Sequence, residues 1–238
     1  MDAKLVALYH RHVAAAYDRQ LRLGDFLERE TNGANWHYQV STSTLSFGPT
    51  VKFQANDLGS HSTLDNSWLW GWYSSQPNLT AAMNEFCEAV RGLGSRHDIR
   101  AFLLTQPFDV SAVLGTELGG IASHVFGIIT SGELGYQAYY NMPYKRGRST
   151  VLLRDDRLRV TEPSPLARVG TIFPQVLAGF PITDQRAALI GYLASYDIMP
   201  EASGRLIRVV EGGIEVLRAE FDEQDRLSNL TGAFQNSE

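Results

Sequence analysis

Three of the chain's four tryptophans fall at every second position of one short stretch, NSWLWGWYSSQPN at residues 66–78. Side chains on a strand alternate between faces, so Trp68, Trp70 and Trp72 share one face while Leu69, Gly71 and Tyr73 share the other. Both faces are then largely apolar, which suits a strand inside a covered sheet. A stacking platform for bases or sugars keeps polar or basic neighbours beside its aromatics. Here no Lys or Arg occurs between Lys52 and Arg91. The tryptophans therefore predict a core strand, and a chain built around it must supply helices to cover it.

Those helices are legible. Leu5, Leu8, Tyr9, Val13, Ala16, Tyr17, Leu23, Phe26 and Leu27 recur at helical spacing over residues 2–30, with Asp2 as N-cap and Asn32-Gly33 as the stop. From Trp36 to Tyr73 the period changes to that of strands: WHYQVS, TLSFG, VKFQAND and the tryptophan strand, joined by turn residues at Gly48-Pro49 and Leu64-Asp65-Asn66. Short turns of this kind predict an antiparallel meander. Asn78 is the expected cap of a helix whose stripe is Leu79, Met83, Phe86, Cys87, Val90 and Leu93, closed by Gly94. A further helix follows Asp109, with Val110, Val113, Leu114, Leu118, Ile121 and Val125 inward and glycines at 115, 119 and 120 that favour a break near 120. Two strands, LGYQAYYNM and RSTVLLRDD, complete a first domain over 1–160.

The segment TEPSPLA at 161–167 reads as a linker. Beyond it, residues 168–238 predict a small αβββ module: a short helix at 173–177, a helix at 183–196, and strands near 205–211, 214–221 and 226–231, with Gly212-Gly213 and DEQD as turns. The expected fold class is α+β, an antiparallel sheet covered by helices and followed by that module.

Bulk properties narrow the function. One cysteine, Cys87, forbids an intramolecular disulfide and falls on an apolar helix face, where a buried structural thiol is expected. The start lacks the charged and apolar regions of a signal peptide, and no run of eighteen apolar residues occurs, so a cytoplasmic protein with no membrane partner is expected. The net charge of -5 and pI near 5.7 disfavour direct binding to nucleic acid and match a basic partner better.

Catalytic signatures are sparse. His10 and His12 point about 200° apart on a helix. His37, His61, His97 and His124 have no partner at metal-ligand spacing, so no metal and no cofactor are expected. There is no GxSxG elbow or phosphate-binding glycine loop. Asp155 and Asp156, flanked by Arg154, Arg157 and Arg159, read as a charged edge. An enzyme would have to assemble dispersed groups such as His61, His97 and Asp155. The feature left over is the hairpin RAEFDEQDRL, where Glu220, Asp222, Glu223 and Asp225 crowd four carboxylates into six residues, with Glu211 and Glu215 across the preceding turn. These six are the candidate partner-binding residues, since such a patch speeds and orients encounter with a basic protein. Asp25, Glu28 and Glu30 on the first helix form a second acidic group.

A Trp-initiated strand leading to LSF, followed by WLWGWYSSQPNLTAAMNEFCEAVRGLG, resembles an uncharacterised bacterial family marked by a WLWxW strand, a Pro-containing loop and an amphipathic helix with a Gly end. The resemblance covers roughly residues 5–155. It departs from the family after Trp36, where His37, Tyr38 and Gln39 stand in place of an early Asp. The C-terminal module, ending AEFDEQDRLSNLTG, resembles those of immunity proteins of bacterial polymorphic toxins and type VI secretion effectors. That resemblance implies a non-enzymatic toxin inhibitor whose partner carries a basic face. A nuclease fits because it presents cations to nucleic acid, and other toxins fit as well. Oligomeric state is left open.

Overall fold

The computed structural model describes residues 1–73, 80–159 and 162–232. They form two compact units, one of Met1–Val6 with Arg19–Arg159, the other of Ala7–Asp18 with the described residues from 162 onward. Helix α1 (Ala3–Thr31) contributes to both. It starts where expected, because the Asp2 carboxylate accepts from the amides of Lys4 and Leu5, and it stops at Asn32 in the left-handed region.

The first unit is built on an antiparallel sheet of seven strands: β1 (Trp36–Gln39), β2 (Thr44–Phe47), β3 (Val51–Ser62), β4 (Ser67–Trp70), β5 (Phe108–Asp109), β6 (Ala138–Tyr144) and β7 (Gly147–Arg154). The long strand β3 organises it. β2 and β4 share one edge of β3, pairing with its first and last residues, while β7 runs along the other edge and carries β6 beyond. One face buries Leu45, Phe47, Phe53, Ala55, Val151 and Leu153 against Leu23 and Phe26 of α1.

Two of the three alternating tryptophans are core strand residues, as expected. Trp68 and Trp70 are 0% and 1% exposed and pack on Phe126, with Phe102 beside Trp70. The Trp70 indole donates to the carbonyl of Ala101 at 2.9 Å. Trp72 lies past the strand end, in the turn, and stacks on Trp70 with centroids 4.9 Å apart. β4 has β3 on one side and only the two-residue β5 on the other, so its cover comes from helices rather than from a broad sheet.

Helix α2 (Ala81–His97) buries Phe86, Cys87, Val90 and Leu93. Its cap is Thr80, whose hydroxyl accepts from the amide of Met83; Asn78 and Leu79, expected to open it, lie outside the described residues. Gly94 is inside the helix, which runs on to His97 with Asp98 as its left-handed cap. A Cβ there would meet the Leu103 side chain at 2.7 Å, so this glycine serves close packing and not termination. Helices α3 (Val110–Gly119) and α4 (Ala122–Glu133) replace the single expected helix, bent by 101° at the break near 120. α4 lies on β6 and β7, with Gly127 against the ring of Tyr139. No single helix among the described residues is long and apolar enough to cross a membrane.

In the second unit, the expected linker is helical only at its end, over Pro165, Leu166 and Ala167, while residues 162–164 lie outside any helix or strand. Thr161 is outside the described residues, and Pro165 opens α5 (Pro165–Gly179) at a position where a missing N–H costs nothing. α6 (Gln185–Ala194) follows, capped by Asp184. Four strands then form an antiparallel sheet in the order β11-β10-β9-β8: β8 (Glu201–Ser203), β9 (Leu206–Glu211), β10 (Ile214–Phe221) and β11 (Leu227–Gly232). β8 adds to the three expected strands. Its three residues are all exposed, so no apolar alternation marks them. Ile207, Val209, Leu217, Ala219 and Phe221 are buried on one face.

Candidate functional site

The six candidate carboxylates occupy two ends of the β9–β10–β11 meander, and arginines meet most of them. Glu220 accepts from Arg218 at 2.8 Å, and Glu215 lies 3.6 Å from Arg218 and 3.9 Å from Arg208. Arg208 in turn bonds Glu201 at 2.6 Å. Arg208 and Arg218 are cross-strand neighbours, and Glu215 lies between them, so the ion pairs Glu201–Arg208–Glu215–Arg218–Glu220 form a chain of alternating charge. At the DEQD turn, Glu223 pairs with Arg205 at 3.0 Å. Asp222 organises its own turn: it accepts from the amides of Gln224 and Arg226 and from the Arg226 guanidinium, which together hold its carboxyl below the usual range. Between residues 201 and 232, seven carboxylates face four arginines, and the surface is a charge mosaic with an acidic excess. Glu211 and Asp225 make no ion pair among the described residues.

The other end of the meander differs. Gly212 and Gly213 both have positive φ, 57° and 82°, as a two-residue hairpin turn of the primed type requires. Beside it, Val210 is 39% exposed and Ile214 is 67% exposed. The register sets Val210 opposite Glu215 and Ile214 opposite Glu211, and consecutive pairs point to opposite faces. Each face of the tip therefore shows one apolar side chain with a carboxylate across from it. Exposed apolar groups ringed by charge are what a protein-binding surface needs, because the apolar part supplies affinity and the rim supplies orientation. Sequence patterning pointed to the carboxylates and passed over Val210 and Ile214, which looked like ordinary strand residues.

The dispersed groups of an enzymatic site do not converge. His61 pairs across the ladder with Arg148, whereas Asp155 follows Arg154, the partner of Gln54 at the other end of β3. Seven strand residues, about 23 Å, separate the two ends. Each group has its own partner. His61 bonds Asn66 at 2.9 Å, and Asn66 donates to Ser111. His97 lies 2.7 Å from Glu133. Asp155 takes two bonds from Arg157, whose guanidinium sits over the rings of Phe26 and Phe53 and closes the end of that core. Asp155→Ala is expected to cost the first unit about 1 kcal/mol by freeing that guanidinium from its ring contacts. Urea unfolding measures it, and a change below a few tenths would deny the clamp. Among the described residues no group of His, Cys, Asp and Glu is placed to hold a metal ion. Asp25, Glu28 and Glu30 lie on the last turns of α1, where Arg29 bonds Glu30.

One acidic group of unusual character went unnoticed in the sequence. Asp57 sits at a bulge in β3, in the gap where β2 and β4 diverge along the same edge. Gly71 packs so closely there that a Cβ would lie 2.6 Å from the Asp57 carbonyl oxygen. Part of the residue reaches solvent, but its Oδ1 is buried and has no hydrogen-bond partner among the described residues. Burial pushes this carboxyl up to about 6, against a bond from the Gly59 amide that works the other way. Burial of Cys87, and after it the field of Asp57, raise that thiol, which makes it a poor nucleophile.

Fold and surface together define an α+β protein with a covered antiparallel sheet and a second, smaller sheet whose hairpin tip is open for contact. Residues 6–156 match a family model described as "Family of unknown function (DUF6882)", and the chain belongs to that family. Comparison with curated proteins and with solved structures gives no match.

Proposed function

We propose that the chain is a non-enzymatic immunity protein that binds and neutralises a secreted bacterial toxin through the β9–β10 hairpin tip. The observation that carries this reading is the exposure of Val210 and Ile214 at a two-residue glycine turn, each opposite a carboxylate. The resemblance of the WLWGW region to a bacterial family and of the C-terminal module to immunity proteins supports it. In this reading a cleft on the toxin grips the tip from both sides, taking Ile214 on one face and Val210 on the other, and Glu211 and Glu215 meet basic groups at its rim. A nuclease effector of type VI secretion is the favoured partner, since its nucleic-acid face is basic and an acidic surface competes for it.

The test is co-expression of the toxin recovered with the tagged full chain from its native cells. Ile214→Asp is expected to weaken binding at least about tenfold and to abolish rescue, as loss of an interface anchor does. Glu211→Lys is expected to slow association, with the difference shrinking at high salt. Rescue that survives both changes would remove the tip from the interface. Recovery of no toxic partner would remove the immunity reading.

A second reading, an enzyme, has Asp57 in its favour, because a buried carboxyl pushed toward neutrality is a common general acid or base. Asp57→Asn separates the two: an immunity protein keeps its rescue, while an enzyme loses turnover.

A further inference from the structure

Arg148 on β7 is exposed, and its side chain makes no hydrogen bond or ion pair among the described residues. Its cross-strand partners are His61 on β3 and Pro143 on β6, and Thr150 is the next β7 residue on its face. None of these is a carboxylate. The face they share is the one beneath α4. Gly127 packs on the Tyr139 ring, and Tyr139 and Asn141 lie on the same face as Pro143 and Arg148, since Asn141 pairs with Thr150 and Pro143 with Arg148. Asn141 is the diagonal neighbour of Arg148 across the ladder, at about 7–8 Å, within reach of a long side chain.

The first turn of α4 brings further donors to this end of the sheet. His124 Nδ1 lies 3.0 Å from the Tyr139 hydroxyl, and the two rings meet edge-on. Burial first, and then the charge of Arg148, hold the imidazole below its ordinary range, so it is neutral and Arg148 lies within electrostatic reach of it. Burial also keeps the Tyr139 hydroxyl protonated. With that hydroxyl donating to Nδ1, the imidazole proton is assigned to Nε2, which makes no hydrogen bond among the described residues. Asn141 accepts from the Thr150 hydroxyl at 2.7 Å, which leaves its buried Nδ2 without a partner. Ser123, four residues before Gly127, is on the sheet-facing side of α4. It is 0% exposed, and its Oγ also lacks a partner among the described residues. Buried donors left without acceptors are costly, and here they stand beside an unpaired guanidinium at the positive end of a helix.

We propose that Arg148, His124, Asn141 and Ser123 form a binding site for the carboxylate group of a small molecule. Every one of these groups can donate a hydrogen bond, which suits an oxyanion. The site holds one formal positive charge, on Arg148, and one charge balances a carboxylate better than a phosphate dianion. It lies within the first unit and does not depend on the hairpin tip.

NMR of the full chain, read at the His124 ring resonances, tests this by titration with acetate, with inorganic phosphate and chloride for comparison. Acetate is expected to shift the ring saturably with an affinity on the order of 1 mM, a range suited to so small a ligand. Arg148→Gln is expected to weaken binding at least about tenfold. Asn141→Asp keeps the acceptor for Thr150 and sets a carboxylate of the chain itself beside Arg148, so it is expected to abolish the acetate response. Circular dichroism of each variant verifies that the sheet persists, and the Asn141→Asp arm reads the site with Arg148 still in place. No saturable shift with acetate overturns the proposal, as does an undiminished response in either folded variant. Phosphate or chloride binding more tightly than acetate overturns the carboxylate assignment and gives the site to an inorganic anion. Self-association that acetate reverses and Arg148→Gln abolishes also overturns the proposal, and gives these donors to a carboxylate of a second copy.

Discussion

Asp18→Asn is expected to lower the stability of the second unit by about 3 kcal/mol. The Asp18 side chain is buried and accepts two bonds from Arg168, at 2.6 and 2.7 Å, and one from the Tyr196 hydroxyl. These tie the Ala7–Asp18 part of α1 to α5 and to the chain just beyond α6, all within one unit. Removing the carboxylate charge leaves a guanidinium that is only a quarter exposed with Glu162, 3.7 Å away, as its remaining partner. An unpaired buried charge is costly, whereas replacing both partners by apolar groups is far less so. The double variant Asp18→Leu with Arg168→Met should accordingly lose less than the sum of its single changes. Urea midpoints of the four proteins measure this, and purely additive losses would show that the pair is not coupled.

Asp57→Asn is expected to act in the opposite direction, stabilising the first unit at neutral pH by up to about 3 kcal/mol. Burial raises this carboxyl to about 6 from its ordinary 3.8. The folded protein therefore holds its proton more tightly than the unfolded chain does. Stability from this group is full below the unfolded value near 4 and is lost as pH rises through about 6, because the folded state must then carry a buried charge without a partner at Oδ1. Asparagine has the same shape and never ionises. The stability difference between variant and native protein should thus grow from pH 4 to pH 7 and then level off. A flat difference would mean that Asp57 finds a charge-stabilising partner.

The same two residues show where sequence reasoning stops. Asp18 lies in an apolar helical pattern and Arg168 lies 150 positions later, so nothing local pairs them. Asp57 looked like the last residue of a short strand, VKFQAND. In the structure β3 runs on to Ser62 through a bulge, and that bulge places the carboxyl in the gap between β2 and β4. The acidic hairpin was legible as a charge run, with Arg218 and Arg226 pairing locally to Glu220 and Asp222, but charge counting missed Arg205 reaching Glu223 and Arg208 reaching Glu201 and Glu215, since cross-strand register decides who faces whom. Register also exposed Val210 and Ile214, which alternation alone could not distinguish from core.

What the sequence by itself determined is the set of local elements: the Asp2-capped helix, the alternation that buries Trp68 and Trp70, the glycine turn at 212–213, and the α+β class. Each follows from propensity and periodicity within a few residues. Only the tertiary structure decided which unit claims the middle of α1, why Gly94 and Gly127 must lack a side chain, and which charges are neutralised. Those outcomes depend on contacts between residues far apart in the chain, where packing and electrostatics act through distance in space and leave no periodic trace in the sequence.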